Sequence, residues 1–341
     1  MTYTKIKDLK VGETVSQVFL IADIESRTTK KGKPYGRLLL TDKDSRFNVN
    51  VWDFEPKEYP EIQAGGFVSM AVEVQDYRGE KSGVSKGIPL PVDAPEDITS
   101  YVDDRGLTDE EADNYYQLLM EYKDLVQDPM IKAYLDTIFL NKETETKFKI
   151  APASASNRGA YKGGLVEHVY KVMLNADHIV QAQLTAHNPP SINEDIVIAG
   201  VLTHDLGKMY AYDVDHTGAK TTKSGRLLGH LVPSYGISVQ AFIATESAIR
   251  RQVPDSIKDH IHHCILSHHG KLEYGSPVTP MSIEAMIVHQ ADIADGSVSN
   301  FAEPITDQAD EVDANSMIRG SRFFNSSYIY IDEHDEKFTS R

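Results

Sequence analysis

The sequence predicts a multidomain α+β protein in which a small N-terminal β-barrel is followed by an all-α helical bundle. Short runs rich in β-branched and aromatic residues, separated by turn residues, fill the first 92 positions. From residue 107 onward the apolar residues recur with a helical period instead. A length of 341 residues, 40% of them hydrophobic, is enough for roughly two domains with separate cores.

Four strands are predicted in the N-terminal part, over residues 15–24, 36–40, 47–52 and 67–74. Runs of Gly, Pro, Asp and Ser lie between them, and several short strands at regular spacing are typical of a small barrel or sandwich. A proline-containing stretch at 89–95 then breaks the pattern. We therefore assign residues 1–92 to the β domain and residues 93–150 to a linker and helical connector.

Helical signals dominate the rest of the chain. Thr108 and Glu111 have the spacing of a capping box, and Asp128-Pro129 ends that first helix and starts the next. Further helices are predicted over 165–185, 194–206, 234–250, 255–268 and 280–295. These elements predict a helical domain over 151–296, which begins with a small, polar loop. Residues 297–341 form a C-terminal arm in which 328–331 alternate like a strand.

The charge distribution bears on the class of partner. The net charge is −16 at pH 7, but residues 1–90 carry a net charge of +1 and the remainder −17. A polyanion such as a nucleic acid is therefore expected to meet the N-terminal part first. The excess of carboxylates elsewhere suits divalent cations or simply keeps the protein soluble.

Three features predict a cytoplasmic protein with no membrane partner. The longest uncharged apolar run, 196–203, is far shorter than the roughly 20 residues that span a bilayer. The first residues lack the apolar core of a secretory signal. The single cysteine, Cys264, excludes an intrachain disulfide and is typical of a reducing compartment.

Histidine placement is the most informative feature of the helical part. His168 lies on an apolar stripe between Leu165 and Val172, and His268 continues such a stripe from Ile261. Imidazoles that face a core need partners, and a metal ion is one that several can share. Taken singly, such a histidine is more often a hydrogen-bonded core residue, and an aspartate can cap a helix or pair with a base. Four helical segments that each direct imidazole or carboxylate inward favour a metal site.

The order of these residues resembles that of the HD-domain metal-dependent phosphohydrolases. The positions that carry the resemblance are His168, His204, Asp205, His230, His268, His269 and Asp292. A Leu-Gly-Lys sequence after the His-Asp pair also agrees. The resemblance therefore implies two divalent metal ions that share the carboxylate of Asp205.

The same resemblance divides the remaining ligands between the two ions. The ligands implied for the first ion are His168, His204 and Asp292. Those implied for the second ion are His230 with His268 and His269, and how the last two share the metals is left open. Imidazoles bind first-row ions well and a carboxylate can bridge two of them. The family implies Mn²⁺ or Co²⁺, while the ligand types alone leave iron and zinc open.

Two residues are candidates for a direct catalytic role, Asp205 as the shared ligand and Lys208 as a contact to phosphate. Two metals about 3.5–4 Å apart can activate water and hold a phosphate for in-line displacement. Lys208 lies one helical turn beyond His204, so its ammonium could contact a non-bridging phosphate oxygen. The alternative is a lysine at a helix C-terminus, favoured there by the helix dipole.

The N-terminal sequence resembles an OB fold of the kind that binds single strands. A basic, glycine-containing hairpin leads into a strand, an aspartate-containing turn follows, and the next strand ends in Trp52. In such folds exposed rings stack on bases, and Lys and Arg follow the backbone. The candidate contacts are Lys30, Lys31, Lys33, Tyr35, Arg37 and Trp52, with Arg158 and Lys162 at the entrance of the helical site. The alternative is a core Trp52 beside a solvated turn.

The combination of an OB fold, a helical connector and an HD domain resembles the YhaM family of 3′→5′ exoribonucleases, over about residues 5–296. The family implies removal of nucleotides from the 3′ end of single-stranded RNA, with activity on single-stranded DNA as well. It leaves a homo-oligomer open. One departure is Asn157-Arg158-Gly159, in a loop that is often rich in histidine in the family.

Two other functions remain as alternatives. One is an HD-type phosphodiesterase or nucleotidohydrolase that acts on small nucleotides, although such a substrate needs no strand-binding barrel. The other is a non-catalytic single-strand-binding protein that keeps the HD bundle as a scaffold.

Overall fold

The structure, a computed structural model, describes residues 3–29, 31–43, 45–77, 80–95, 100–101, 106–155, 159–215, 218–307, 317–319 and 328–330. The chain divides into two compact units. The first comprises Met1–Arg105 and Asp215–Gly218, and the second comprises Gly106–Val214 and Ala219–Arg341. The predicted connector is thus divided, since its residues up to 105 group with the barrel and the rest with the helices.

The first unit is a closed five-stranded barrel with a short sixth strand. Its strands are β1 (Thr14–Thr28), β2 (Pro34–Thr41), β3 (Arg46–Trp52), β4 (Phe67–Tyr77), β5 (Glu80–Ser85) and β6 (Leu90–Val92). Hydrogen-bonded neighbours follow the order β1-β2-β3-β5-β4-β6, and β1 also pairs with β4, which closes the barrel. Strands β3 and β5 run parallel and the other pairs antiparallel. The OB-like barrel predicted from the sequence is confirmed.

Strand β1 is long because it pairs with two partners. Its residues 14–20 pair with β4 and its residues 20–28 pair with β2. The register to β2 shifts between Ile21 and Asp23, and such a bulge bends a strand and increases its twist. Alternate residues of each strand point inward and form one core. Its fully buried members include Phe19, Leu38, Leu40, Phe47, Val49, Val51 and Val72.

Strands β5 and β6 are not among the strands predicted from the sequence. In β5, Gly83 leaves room for the barrel core, since a Cβ there would lie 2.5 Å from Cγ1 of Val72 and 2.9 Å from the ring of Phe47. In β6, Pro91 occupies the stretch that we expected to be a linker. Strand β6 lies at the end of the sheet and pairs only with β4, and an edge strand tolerates a residue without an N–H.

The second unit is mainly helical. Its helices are α1 (Asp109–Leu125), α2 (Pro129–Phe139), α3 (Lys142–Ile150), α4 (Gly164–Leu184), α5 (Glu194–Thr203), α6 (Lys208–Ala211), α7 (Lys223–Leu228), α8 (Leu231–Ile249), α9 (Asp255–Ser267) and α10 (Ile283–Asp307). Two short strand pairs accompany them: β7 (Tyr212–Asp215) with β8 (Gly218–Thr221), and β9 (Met317–Arg319) with β10 (Tyr328–Tyr330). Among the described residues, no helix has both the length and the apolar character needed to cross a bilayer.

The predicted helix starts are present. Thr108 accepts a hydrogen bond from the Glu111 backbone, and the Glu111 carboxylate accepts one from the Thr108 backbone at 2.8 Å, which completes a capping box. Asp128 caps α2 through Oδ1, which accepts from the backbone N–H of Met130 at 2.7 Å. These caps satisfy amide groups that have no partner inside their helices.

Helices α1, α2 and α3 share one core with the helices that carry the histidines. Tyr116, Tyr134 and Phe148 are buried in the same cluster as Leu165 and Val201. The connector region from residue 106 onward is therefore part of the bundle, because these apolar side chains are buried only in its core. Helix α10 likewise continues to residue 307, beyond the predicted helix end at 295 and the expected domain end at 296.

Candidate functional site

Five separate elements of the bundle position the seven residues predicted as metal ligands. His168 lies on α4, in its first two turns. His204 and Asp205 follow directly after the last residue of α5, and His230 precedes α8. His268 and His269 follow α9, and Asp292 lies within α10. The structure brings all seven side chains into one cluster.

The close approach of the His204–Asp205 turn to the start of α8 depends on Gly207. A Cβ at this position would lie 2.0 Å from the carbonyl oxygen of His230 and 2.7 Å from the backbone nitrogen of Ser234. The Gly207 N–H instead donates to Ser234 Oγ at 2.8 Å. The Leu-Gly-Lys sequence after the His-Asp pair therefore brings His230 next to Asp205.

The first group of potential ligands surrounds Oδ2 of Asp205. His168 Nε2 lies 3.2 Å from this oxygen and His204 Nε2 lies 3.1 Å from it. His168 Nε2 is also 3.3 Å from Oδ1 of Asp292. Ligand atoms of His168, His204, Asp205 and Asp292 lie within 4.8 Å of one another. That spacing allows one ion to contact all four residues.

The second group surrounds the other oxygen of the same carboxylate. His230 Nε2 lies 3.2 Å from Oδ1 of Asp205, and His268 Nε2 lies 3.6 Å from it. His269 Nε2 lies 3.2 Å from His230 Nε2, which places His269 with this group. Asp205 thus lies between the two groups, with one oxygen towards each.

The Nδ1 atoms of three of these histidines contact backbone carbonyl oxygens. Nδ1 of His204 lies 2.7 Å from the Val201 carbonyl oxygen, and Nδ1 of His268 lies 2.8 Å from the Ile265 carbonyl oxygen. His269 makes the same contact to Tyr274 at 2.8 Å. A carbonyl oxygen only accepts, so each Nδ1 donates its proton and each Nε2 keeps a lone pair. Second partners of this kind orient histidines that bind metals.

The Nδ1 atom of His168 contacts Asp295, a residue that the sequence reading did not select. Oδ2 of Asp295 lies 2.7 Å from this nitrogen, and Ser299 Oγ donates to Oδ1 of Asp295 at 3.1 Å. The signal available in the sequence was the spacing of Asp295, three residues after Asp292 and so on the same helix face. Asp295 holds the ring of His168 with Nε2 directed at Asp205.

Several buried polar atoms at the centre of this cluster lack hydrogen bonds. Among the described residues these include His168 Nε2, His204 Nε2 and Oδ1 of Asp205, whereas Oδ2 of Asp205 pairs with the ammonium of Lys208. The Asp205 and His204 side chains are at most 1% exposed. Leaving such atoms unpaired costs roughly 1–3 kcal/mol each, so they are expected to have a partner. Convergent imidazole lone pairs and carboxylates fit a divalent cation.

The electrostatics keep His230 and His268 neutral and Asp205 ionised, which are the protonation states that a cation requires of these three residues. Burial lowers the pKa of His230 to about 4 and lowers the pKa of His268 well below its usual value, so both rings are neutral. Burial opposes ionisation of Asp205, but Lys208 and His204 outweigh it and lower the pKa of this carboxyl. Burial likewise opposes the charge of Lys208, but Asp205 and Asp292 raise its pKa. Its Nζ lies 2.6 Å from Oδ2 of Asp205.

His168 and the two carboxylates on α10 form a further charged set. Burial and the nearby Lys208 would lower the pKa of His168, but its contacts with carboxylates outweigh them and raise it. The same contacts lower the pKa of Asp292 and Asp295 despite their burial. Both carboxylates therefore carry charge beside the first group.

The candidate nucleic-acid contacts on the barrel lie largely on one face of β2 and β3. Tyr35 and Trp52 are directly opposite each other, with ring centroids 4.9 Å apart. Trp52 is 47% exposed, so it is not a core residue. Arg37 lies on the same face and donates from Nε to Oδ1 of Asn48 at 3.0 Å. Asn48 and Asn50 were not selected from the sequence, although they alternate with buried valines and so share the outward face of Trp52.

The remaining basic candidates have different settings. Lys31 and Lys33 are exposed in the β1–β2 hairpin, and Lys33 Nζ lies 3.9 Å from a carboxylate oxygen of Asp53. We expected Lys162 at the entrance of the helical site, but its ammonium pairs with Asp109 at 2.6 Å. Lys30 and Arg158 lie outside the described residues.

The chain is similar to several known proteins. The family model described as HD domain matches residues 165–296. The chain is 32% identical to the 3′-5′ exoribonuclease YhaM of Bacillus subtilis, over 85% of this chain and 87% of that protein. It is 31% identical to the protein of the same name from Listeria innocua, over 86% of this chain and 89% of that protein. The protein of that name from a Geobacillus strain is 30% identical, over 85% of this chain and 84% of that protein.

Proposed function

The chain belongs to the YhaM family, and on that basis we propose that it is a metal-dependent 3′→5′ exoribonuclease that hydrolyses single-stranded RNA. The observation that carries this proposal is the position of Asp205. Its two buried oxygens lie between two sets of histidine Nε2 atoms, and Oδ1 has no hydrogen bond. The names of the relatives supply the substrate class and the direction.

We assign the two groups of ligands to two divalent cations that share Asp205. The first would be held by His168, His204 and Asp292, and the second by His230, His268 and His269. Such a pair of cations supplies an activated water and a clamp on the phosphate. Mn²⁺ or Co²⁺ is our first choice of metal, with Fe and Zn as the alternatives.

The protein's own groups prepare this site for a phosphodiester. Lys208 is 13% exposed, keeps its charge beside Asp205, and supplies an ammonium that can contact a non-bridging oxygen of the scissile phosphate. The neutral rings of His230 and His268 add no positive charge of their own, so the cations and Lys208 determine the local potential. An overall charge of −16 is therefore compatible with an RNA substrate.

A degradation assay tests the proposed function. A short 5′-labelled oligoribonucleotide is expected to yield a ladder that shortens from the 3′ end when Mn²⁺ or Co²⁺ is present, and a chelator is expected to stop it. The same sequence as single-stranded DNA is expected to be a second substrate. Consumption of free nucleotides with no shortened products would support a nucleotidohydrolase instead. Strand binding without any product would support the non-catalytic alternative.

The first prediction concerns Asp295. Replacing it by Asn leaves the ring of His168 without its carboxylate partner, and losing such a partner costs roughly 10- to 100-fold in metal affinity. We expect Asp295→Asn to weaken Mn²⁺ binding by about that factor in a direct titration. Asp259→Asn, an exposed position on α9, is the matched control and is expected to bind Mn²⁺ as the unmodified protein does. Equal affinities for both variants would contradict the role of Asp295.

The second prediction concerns the outward face of β2 and β3. Stacking of a base on an aromatic side chain contributes about 1–3 kcal/mol. We therefore expect Trp52→Ala to weaken binding of single-stranded RNA by roughly 10-fold or more, measured by fluorescence anisotropy with a chelator present to prevent cleavage. Tyr77, a more exposed ring on β4, provides the control variant Tyr77→Ala. An unchanged dissociation constant for Trp52→Ala would remove this face from the interface.

A further inference from the structure

A cavity of about 160 Å³ adjoins the first group of ligands. Three of its lining residues, His168, Lys208 and Asp292, also belong to the proposed catalytic centre. On its other sides the lining includes Ser154, Glu167, Lys171, Asp295, Gly296 and Ser299. The cavity is therefore continuous with the place where the scissile phosphate would bind.

We propose that this cavity binds the ribose of the strand's 3′-terminal nucleotide and that the carboxylate of Glu167 accepts hydrogen bonds from its hydroxyl groups. The inference rests on the proposed function and adds to it the part of the substrate that is recognised. Recognition of the 2′ hydroxyl makes the enzyme favour a ribose over a 2′-deoxyribose at the 3′ end, with the deoxyribose end still cleaved more slowly.

The covalent structure of the substrate requires a sugar site next to the phosphate site. Removal of the last nucleotide forms a bond from a water oxygen to phosphorus and breaks the bond from phosphorus to the 3′ oxygen of the preceding nucleotide. That oxygen takes a proton, and the product is a 5′-mononucleotide. The terminal ribose is joined to the reacting phosphate through one methylene group. With the phosphate at His168, Lys208 and Asp292, the ribose must therefore lie beside these residues, where the cavity is.

Glu167 has the chemistry to recognise vicinal hydroxyl groups. Its side chain is 14% exposed and it precedes His168 on α4. It accepts hydrogen bonds from Lys171 Nζ and from the hydroxyl of Tyr161. A carboxylate has about four lone-pair sites, so it has capacity for two more donors. The 2′ and 3′ hydroxyls of a terminal ribose are two such donors.

The cavity also provides donors and matches the size of a sugar. The ammonium of Lys171 is 32% exposed and carries three N–H groups, so it can donate to hydroxyl oxygens as well as to Glu167. An engineered cavity of about 150 Å³ holds one benzene molecule, so a volume of about 160 Å³ matches one sugar ring. That space accommodates a sugar but not a whole nucleotide, so the base would lie outside it. An exonuclease must remove nucleotides with any base, and a site that encloses only the sugar does not discriminate between bases.

Substrates with altered 3′ ends test the inference without changing the protein. Oligoribonucleotides that differ only in the last sugar, ribose or 2′-deoxyribose, are compared by the kcat/KM for removal of that nucleotide. A hydrogen bond to a charged group contributes about 1.5–3 kcal/mol, so the 2′-deoxy end is expected to react roughly 10-fold more slowly or worse. Equal values for the two ends would overturn the inference.

A variant then assigns the preference to Glu167. Glu167→Gln is expected to bring the ratio of the two kcat/KM values towards one, because the charged acceptor is lost. A merely structural role would lower both values and leave their ratio unchanged. Glu143→Gln, at an exposed carboxylate on α3, is the matched control and is expected to keep the full ratio. A full ratio in Glu167→Gln would contradict the role of that carboxylate.

A second variant tests the cavity independently of Glu167. Gly296 lines the cavity from α10, between Asp292 and Ser299 on the same helix face. A Cβ built there meets no atom within 4 Å, so the first side-chain atom of Gly296→Leu has room and the atoms beyond it are expected to take up cavity space. We expect it to raise KM for RNA at an unchanged unfolding temperature. An unchanged KM would show that substrate does not enter the cavity.

Different results would contradict the exoribonuclease function and the ribose site. If the unmodified protein shortens no RNA in the presence of Mn²⁺ or Co²⁺, the proposed exoribonuclease function is wrong. If it shortens RNA with the same kcat/KM for both 3′ ends, the exoribonuclease function stands and the ribose site is wrong.

Discussion

Replacing Asp205 by alanine is expected to abolish hydrolysis of RNA while leaving strand binding by the barrel largely intact. Both groups of histidines surround the carboxylate of Asp205, so this single change removes a ligand from each proposed cation. We expect the rate to fall by at least roughly 10³-fold, about 4 kcal/mol in the activation barrier. The measurements are the single-turnover rate on labelled RNA and the dissociation constant for the same strand.

The stability of this variant needs its own control. Without Asp205, the buried ammonium of Lys208 loses the carboxylate it contacts, and breaking a buried ion pair by removing one partner can cost about 3–5 kcal/mol. Asp205→Asn keeps the shape of the side chain, and the double variant Asp205→Asn with Lys208→Met also removes the charge. We expect all three to be inactive. Near-normal activity in a folded Asp205→Asn protein would contradict the shared-ligand role, and loss of strand binding would indicate that Asp205 is structural.

Loading the chelator-treated protein with Mn²⁺ or Co²⁺ is expected to raise its unfolding temperature by roughly 10 °C. A ligand that binds only the folded state stabilises it by about 4 kcal/mol at a concentration 1,000 times its dissociation constant. For a domain of this size, about 1 kcal/mol corresponds to roughly 2–4 °C. The stabilisation arises because the cations pair the buried Nε2 and carboxylate atoms that otherwise lack partners. Calorimetry with and without metal measures the shift.

Two variants separate this effect from nonspecific binding. His187→Ala removes an exposed imidazole from the bundle and is expected to show the full shift. Asp205→Asn is expected to lose most of it, since each proposed cation then lacks one ligand. An equal shift in Asp205→Asn, or no shift in the unmodified protein, would contradict a metal centre at this cluster.

Local sequence signals predicted the longer helices and most of the barrel, because these elements follow from periodicity and capping. The short helices α3, α6 and α7 were not predicted. The capping box at Thr108 and the proline start at Pro129 place two helices directly. Strands β5 and β6 were not predicted because their pairing comes from barrel closure and not from their own composition. Gly83 and Pro91 are unfavourable in isolated strands and are accommodated here by the packing of Phe47 and by an edge position.

The seven predicted ligands could be identified from the sequence, because helix faces and a resemblance in the order of the residues both indicate them. The supporting contacts could not. Asp295 meets His168 across 127 residues of sequence, and Gly207 allows the approach of His230 through a backbone contact. Both depend on how α4, α8 and α10 pack, and no local pattern encodes that packing. For the same reason, the sequence does not distinguish Glu167 from other helix residues, because the cavity that it lines forms only in the folded bundle.

Anomalous diffraction from crystals grown with Mn²⁺ tests the central claim most directly. We expect two peaks at this cluster, one touching Oδ2 of Asp205 together with His168 and Asp292, and the other touching Oδ1 together with His230 and His268. The absence of peaks at the cluster, or peaks that leave Asp205 uncoordinated, would contradict a centre built on one shared carboxylate.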